Sequence, residues 1–218
     1  ETVGTVLKYS EIFLDNSKKS HTKATYKKYT SIVKYILLEF EQCDISKIKV
    51  SEINNWISTL LEDKVAKTVN NYIIVFRSIF QEAIYDEVLD KNPFTHIKPL
   101  KKKKPEICPF SIEEVRLLLE FTSGWFNNFI ALGVYTGIRT GEALGLKWSD
   151  IDFEKGEMKI QRSMSEFGIG NTKTGESNRY VNIFNSLLPY LKSQYEITGQ
   201  THEFVFVNKL GKPYRKSV

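Results

Sequence analysis

Cysteine, histidine and methionine are all scarce in this 218-residue chain, at two, three and two copies. Cys43 and Cys108 lie far apart and form no metal-type spacing, so they read as reduced, buried or idle thiols of a cytoplasmic protein. His21, His96 and His202 are equally scattered, and neither a metal nor any other cofactor is expected. No apolar run nears membrane-spanning length, and the start lacks the pattern of a secretory signal, so no membrane association is expected. Phosphate loops and dinucleotide fingerprints are missing as well, because the 12 glycines never fall in either spacing. The chain opens on Glu1 and stops in mid-pattern at Pro213-Tyr-Arg-Lys-Ser-Val218, and it reads as a piece excised from a longer protein.

What is present is the ordinary balance of a globular protein, 41% hydrophobic and 26% charged, long enough for one large domain or two small ones. The formal net charge of +5 is compatible with nucleic acid without requiring it. Apolar residues recur at helical spacing through the first half. Thr5 to Asn16 gives a weak opening helix with Val6, Phe13 and Leu14. Thr22 to Gln42 is stronger, with Tyr26, Tyr29, Val33, Ile36, Leu37 and Phe40 on one side and Lys23, Lys27, Lys28 and Lys34 on much of the rest. Ser51 is placed to cap a third helix carrying Ile53, Trp56, Ile57, Leu60 and Leu61. Thr68 is placed to cap a fourth, whose stripe runs from Tyr72 to Val88 and which Asn92-Pro93 should end. The sum is a bundle of four helices whose aromatics are spaced as core.

From His96 to Phe110 come Pro99, Pro105 and Pro109 and the run Lys101, Lys102, Lys103, Lys104. Proline and like charge keep such a segment extended and poorly packed, which marks a domain boundary. By itself the run reads first as a solvated linker that touches nothing, with a strap that neutralises phosphates as the alternative if both flanking domains face one polyanion. Beyond it, Ser111 and Glu114 form a capping box, with Phe110 set to staple on Val115 and with Val115, Leu118, Leu119 and Phe121 turned inward. Asn127 to Thr136 is apolar nearly all round. The period then shifts: Trp148–Phe153 and Met158–Arg162 read as a hairpin, Arg179–Phe184 as a third strand, Leu187–Tyr195 as a helix with Pro189 in its first turn, and Phe204–Val207 as a short strand.

Between these lies Tyr135-Thr-Gly-Ile-Arg-Thr-Gly-Glu-Ala-Leu-Gly-Leu-Lys-Trp-Ser-Asp-Ile-Asp152. Gly137 permits a sharp turn, and Arg139 and Glu142 fall on one face of a short helix. At a helix start an arginine fork suits a phosphate, yet the same pair is equally a surface ion pair worth little. Local physics leaves the two readings even.

The motifs taken together resemble the tyrosine recombinases, the phage-integrase family of DNA strand-exchange enzymes. Thr136-Gly-Ile-Arg139-Thr-Gly-Glu142-Ala-Leu144, followed by Leu146-Lys-Trp148-Ser-Asp150-Ile-Asp152, is similar to the family's first arginine motif. Thr172-Lys173-Thr174 with Ser177, Arg179 and Val181 is similar to its hairpin lysine motif, and Thr68, Asn70 and Ala83 before Asn92-Pro93 to its core-binding domain. The resemblance implies a mainly α, SAM-like core-binding bundle over 1–95, a basic linker over 96–110, and part of an α+β catalytic domain over 111–218. It implies attack on DNA by a tyrosine to give a 3′-phosphotyrosyl link. Arg139 then clamps the phosphate, Lys173 protonates the leaving 5′-oxygen and Glu142 supports. Lys23, Lys67, Lys101, Lys102, Lys103, Lys104 and Arg179 become candidate contacts to double-stranded DNA, with both domains gripping the duplex. The family's His-x-x-Arg motif, its later His or Trp and its tyrosine are absent, and Tyr214 is rejected as a nucleophile. The expectation is therefore a stretch that binds DNA without cleaving it, monomeric by itself although family members act as tetramers. The alternative is a non-catalytic DNA-binding protein that retained the fold.

Overall fold

The structure, a computed structural model, describes residues 4–101, 106–171 and 178–215. The chain divides into two compact units, Glu1–Glu106 and Ile107–Val218. Among the described residues no helix is long and apolar enough to cross a membrane.

The first unit holds α1 (Val6–Ser20), α2 (Lys23–Phe40), α3 (Val50–Asp63) and α4 (Ala66–Tyr85). Thr5 and Thr22 cap α1 and α2 by accepting the backbone N–H three residues on. The expected cap at Ser51 falls instead at Lys49, because the Glu52 carboxylate accepts the Lys49 backbone N–H at 2.7 Å. Thr68 likewise lies inside α4, which starts after Val65. Asn92-Pro93 does not end α4. The helix stops at Tyr85, Glu87 turns the chain with φ 57°, and Pro93 opens a separate 3-10 turn, Pro93–His96.

Aromatic side chains fill this unit as the spacing implied. Phe40, Trp56, Phe76, Phe80 and Phe94 interlock with ring centroids 5.1 to 5.9 Å apart, and Phe76, Phe80 and Phe94 are fully buried. The stretch expected to run extended and poorly packed from His96 is anchored at its beginning. Ile97 is buried, Arg77 donates to the carbonyls of Phe94 and Ile97, and Asn70 exchanges two hydrogen bonds with the Leu100 backbone at 2.9 and 3.0 Å. A buried amide that copies a backbone rung holds the chain in place up to Lys101.

The second unit contains α5 (Ile112–Phe121), α6 (Gly124–Thr136), α7 (Thr140–Leu144), β1 (Ile151–Asp152), β2 (Glu157–Ile160), β3 (Arg162–Ser165), β4 (Gly168–Asn171), β5 (Arg179–Asn182) and α8 (Leu188–Thr198). The capping box of Ser111 and Glu114 is present. Phe110 and Phe121 are nevertheless exposed, and Val115, Leu118 and Leu119 are only half-buried. Antiparallel β1, β2 and β5 form one sheet in that spatial order, and β3 and β4 form a separate hairpin. Trp148–Asp150, expected as strand, is a 3-10 turn, and Phe204–Val207 makes only isolated bridges. The strand β4 lies in a polar, glycine-bearing stretch with no strand signal of its own.

Leu132, Leu146, Met158, Leu187, Val205 and Phe206 lie at the centre of this unit. A buried polar chain ties α6 and α8 to the Val205 backbone. Asn128 donates to Gln194, and Gln194 and Thr198 both donate to the Val205 carbonyl. Pro189 occupies the first turn of α8, where its missing N–H costs no helical bond.

Candidate active site

Gly137 ends α6 in the left-handed conformation, φ 64° and ψ 16°, with its N–H on the Gly133 carbonyl at 2.9 Å. This turn leads through buried Ile138 to Arg139, the residue that precedes α7. The Glu142 carboxylate reaches back to accept the Arg139 backbone N–H at 3.0 Å, which is one half of a capping box. Arginine has no side-chain acceptor to supply the other half. Its guanidinium instead binds the same carboxylate, Nη1 to Oε1 at 2.8 Å.

The α7 backbone sits directly on β3. A Cβ on Gly141 would stand 2.5 Å from Ser163 Oγ and 2.9 Å from the Met164 carbonyl, so only glycine fits this approach. From the other side comes Arg179, the first residue of β5, which is paired with Ile160 of β2. Its Nη2 donates to Glu142 Oε2 at 2.9 Å and its Nη1 to Oε1 at 3.3 Å. One carboxylate is thus shared by two guanidinium groups and a backbone amide.

The electrostatics follow from exposure. The Glu142 side chain is 3% exposed, that of Arg179 34% and that of Arg139 72%. Burial pushes the Glu142 carboxyl up, but hydrogen bonds from Arg179 and from the Arg139 backbone and side chain outweigh it and hold the pKa at about 2. Glu142 is therefore a fixed anion at neutral pH, and the two guanidinium groups bring positive charge to it. That positive charge faces solvent on Arg139.

A second cluster of the same kind lies a few residues on. Asp150, also 3% exposed at its side chain, accepts the Lys147 backbone N–H at 2.9 Å, Gln161 Nε2 at 2.7 Å and Nη1 of Arg162. The spacing Lys147-x-x-Asp150 repeats that of Arg139-x-x-Glu142, and this is the sequence signal that could have found it. Nothing local could have paired Glu142 with Arg179, 37 positions away.

The other site candidates are dispersed. Lys23 is exposed at the start of α2, Lys67 is exposed on α4, and Lys101 is exposed just after the Asn70 anchor. Lys102, Lys103, Lys104 and Lys173 lie outside the described residues, as do Thr172, Thr174 and Ser177. Tyr214 stacks on Trp125 with centroids 4.4 Å apart and packs against the core of its unit.

Residues 110–218 match the profile of the phage integrase family, and residues 5–61 match that of the phage integrase N-terminal SAM-like domain. The chain is similar to the prophage integrase IntR of Escherichia coli K12, with 30% identity over 82% of this chain and 47% of that protein. It is 35% identical to a XerC-like tyrosine recombinase of Caldanaerobacter subterraneus subsp. tengcongensis, over 79% of this chain and 50% of that one. The Escherichia coli K12 putative defective protein IntQ is 30% identical over 92% of this chain and 55% of its own. The chain spans about half the length of these curated relatives. Its fold is that of the Tn1549 transposon integrase solved with circular-intermediate DNA, at a TM-score of 0.84 and 20% identity over 97% of this chain and 74% of that one. A lambda integrase tetramer on a Holliday junction shares the fold, at a TM-score of 0.80 and 18% identity over 98% of this chain and 62% of that one. The core-binding bundle and the α+β half expected from the sequence are both present, and the chain belongs to the phage integrase family.

Proposed function

We propose that this chain is the DNA-gripping part, together with one side of the active site, of a site-specific recombinase. The whole protein would cut and rejoin double-stranded DNA through a 3′-phosphotyrosyl intermediate to move a mobile element. The observation that carries the reading is Arg139, a largely exposed guanidinium held at the start of α7 on a buried Glu142 that is ionised at neutral pH. Such a preorganised cation suits the charge that collects on phosphoryl oxygens during strand transfer.

In this reading residues 1–95 form the core-binding domain, 96–110 the basic linker and 111–218 part of the catalytic domain. Arg139 holds the scissile phosphate, Glu142 orients it, and Lys173 protonates the departing 5′-oxygen. Lys23, Lys67 and Lys101 to Lys104 lie along the DNA backbone, where such contacts set position rather than sequence. The protein works in the cytoplasm as a tetramer on paired sites, a reading supported by the lambda integrase tetramer bound to a Holliday junction. The 218 residues contain no His-x-x-Arg sequence, so taken alone they bind duplex DNA without cutting it, and in this reading they are monomeric.

The test is the salt dependence of duplex binding. The logarithm of affinity should fall linearly with the logarithm of salt concentration, and Arg139→Ala should reduce that slope by about one. Binding that ignores salt would sink the reading. A second reading, a DNA-binding protein that kept the fold without the chemistry, is favoured by the likeness to a relative named putative defective. A covalent protein–DNA adduct formed by the whole protein excludes it.

A further inference from the structure

Arg179 was expected among the DNA contacts, but its geometry points elsewhere. Its guanidinium meets both oxygens of Glu142, whereas Arg139 meets one of them through a single nitrogen. A carboxylate with a 3% exposed side chain needs a cation that never leaves. If Arg139 were its only counter-ion, every turn of Arg139 toward a phosphate would strand a buried negative charge. Arg179 removes that conflict. It enters from β5, fixed by the β2 ladder, while Glu142 is fixed from α7, which Gly141 lets settle onto β3.

We propose that Arg179 is a positioning residue, the permanent counter-ion of Glu142, which frees the Arg139 guanidinium to exchange its one bond to Glu142 for a DNA phosphate. It acts on DNA through Glu142 and Arg139 and makes no phosphate contact of its own. The inference rests on the reading that Arg139 receives a phosphate.

A double-mutant cycle on the 218-residue chain decides between action through Arg139 and direct contact, with binding to a fluorescent 30-base-pair duplex as the readout. Arg179→Ala should weaken binding roughly tenfold in the wild-type background, the loss of a charge-assisted hydrogen-bond pair. In the Arg139→Ala background the same change should cost less than about twofold. Arg179→Lys keeps the charge but cannot form the two-point fork, and it should behave as Arg179→Ala. An equal loss in both backgrounds, or full rescue by lysine, overturns the proposal in favour of a direct phosphate contact.

A carbon-13 NMR titration of the Glu142 carboxyl gives a second readout that needs no DNA and survives partial loss of stability. Arg179→Lys should raise its titration midpoint more than Arg139→Ala does, and the reverse order overturns the proposal. A wild-type chain that ignores DNA refutes the functional reading, while the titration still decides which arginine is the counter-ion of Glu142.

Discussion

Glu142 and Asp150 are built alike but hold cations of different exposure. Each is the third residue of a short helical turn, and each side chain is 3% exposed. Each accepts the backbone N–H three residues back, at 3.0 and 2.9 Å, and binds an arginine from a strand further along the chain. They part at the residue that opens the turn. Arg139 folds onto its own cap and remains 72% exposed, while the Lys147 side chain leaves for Glu203 at 2.6 Å. Arg162 on Asp150 is 20% exposed. Burial of the carboxylate alone thus does not tell the two clusters apart. What separates the two is whether it holds a cation that solvent, and so a phosphate, can reach.

The largest test of that contrast is to remove each acid. Asp150→Ala leaves Arg162, Gln161 and the Lys147 amide without their shared acceptor in a region that water barely enters. The expected loss is about 3–5 kcal/mol, the scale for breaking a buried pair from one side. Glu142→Ala should cost less, because Arg139 and Arg179 are the more exposed cations and rehydrate more readily. Urea denaturation at pH 7 gives both numbers. A loss at Glu142 equal to or greater than that at Asp150 breaks the distinction.

Acid tests the Glu142 ion pair in a second way. Folding lowers the Glu142 pKa from 4.5 to about 2, so between those values the unfolded chain takes up the proton that the folded chain refuses. The stabilisation is complete above about pH 4.5 and disappears as pH falls toward 2. Glu142→Gln has no such proton to take up. The stability difference between wild type and Glu142→Gln should shrink steadily from pH 5 to pH 2.5, measured by urea midpoints. A difference that stays flat over that window rules out an ion-pair origin.

How far these features were legible beforehand depended on their range. The four helices of the first unit were readable because a 3.6-residue period is written into contiguous sequence, and Phe76, Phe80 and Trp56 fall where it puts them. Their starting points were not all readable. A glutamate three residues into α3 captured the Lys49 amide and overrode Ser51, so the strongest acceptor within reach set the cap. Strand β4 was invisible because Gly168 and Gly170 carry no side-chain pattern, and pairing with β3 creates it. At the site, Arg139 and Glu142 were found together because a three-residue spacing is local. The Glu142–Arg179 and Asp150–Arg162 pairs were not, since each exists only after the strands have folded beside α7 and the following turn.

The smallest expected effect is the most discriminating. Arg139→Ala should change stability by less than about 1 kcal/mol, because an exposed ion pair contributes little and Arg179 remains on Glu142. Arg162→Ala should cost several times more, because it strands Asp150 with Gln161 and one amide in place of a cation. Thermal melts of the two variants side by side make the comparison. An Arg139 whose removal leaves the fold intact is not needed for folding, as the proposed phosphate contact requires. Should Arg139→Ala melt as early as Arg162→Ala, both arginines would be structural and the exposed guanidinium would lose its claim to a ligand.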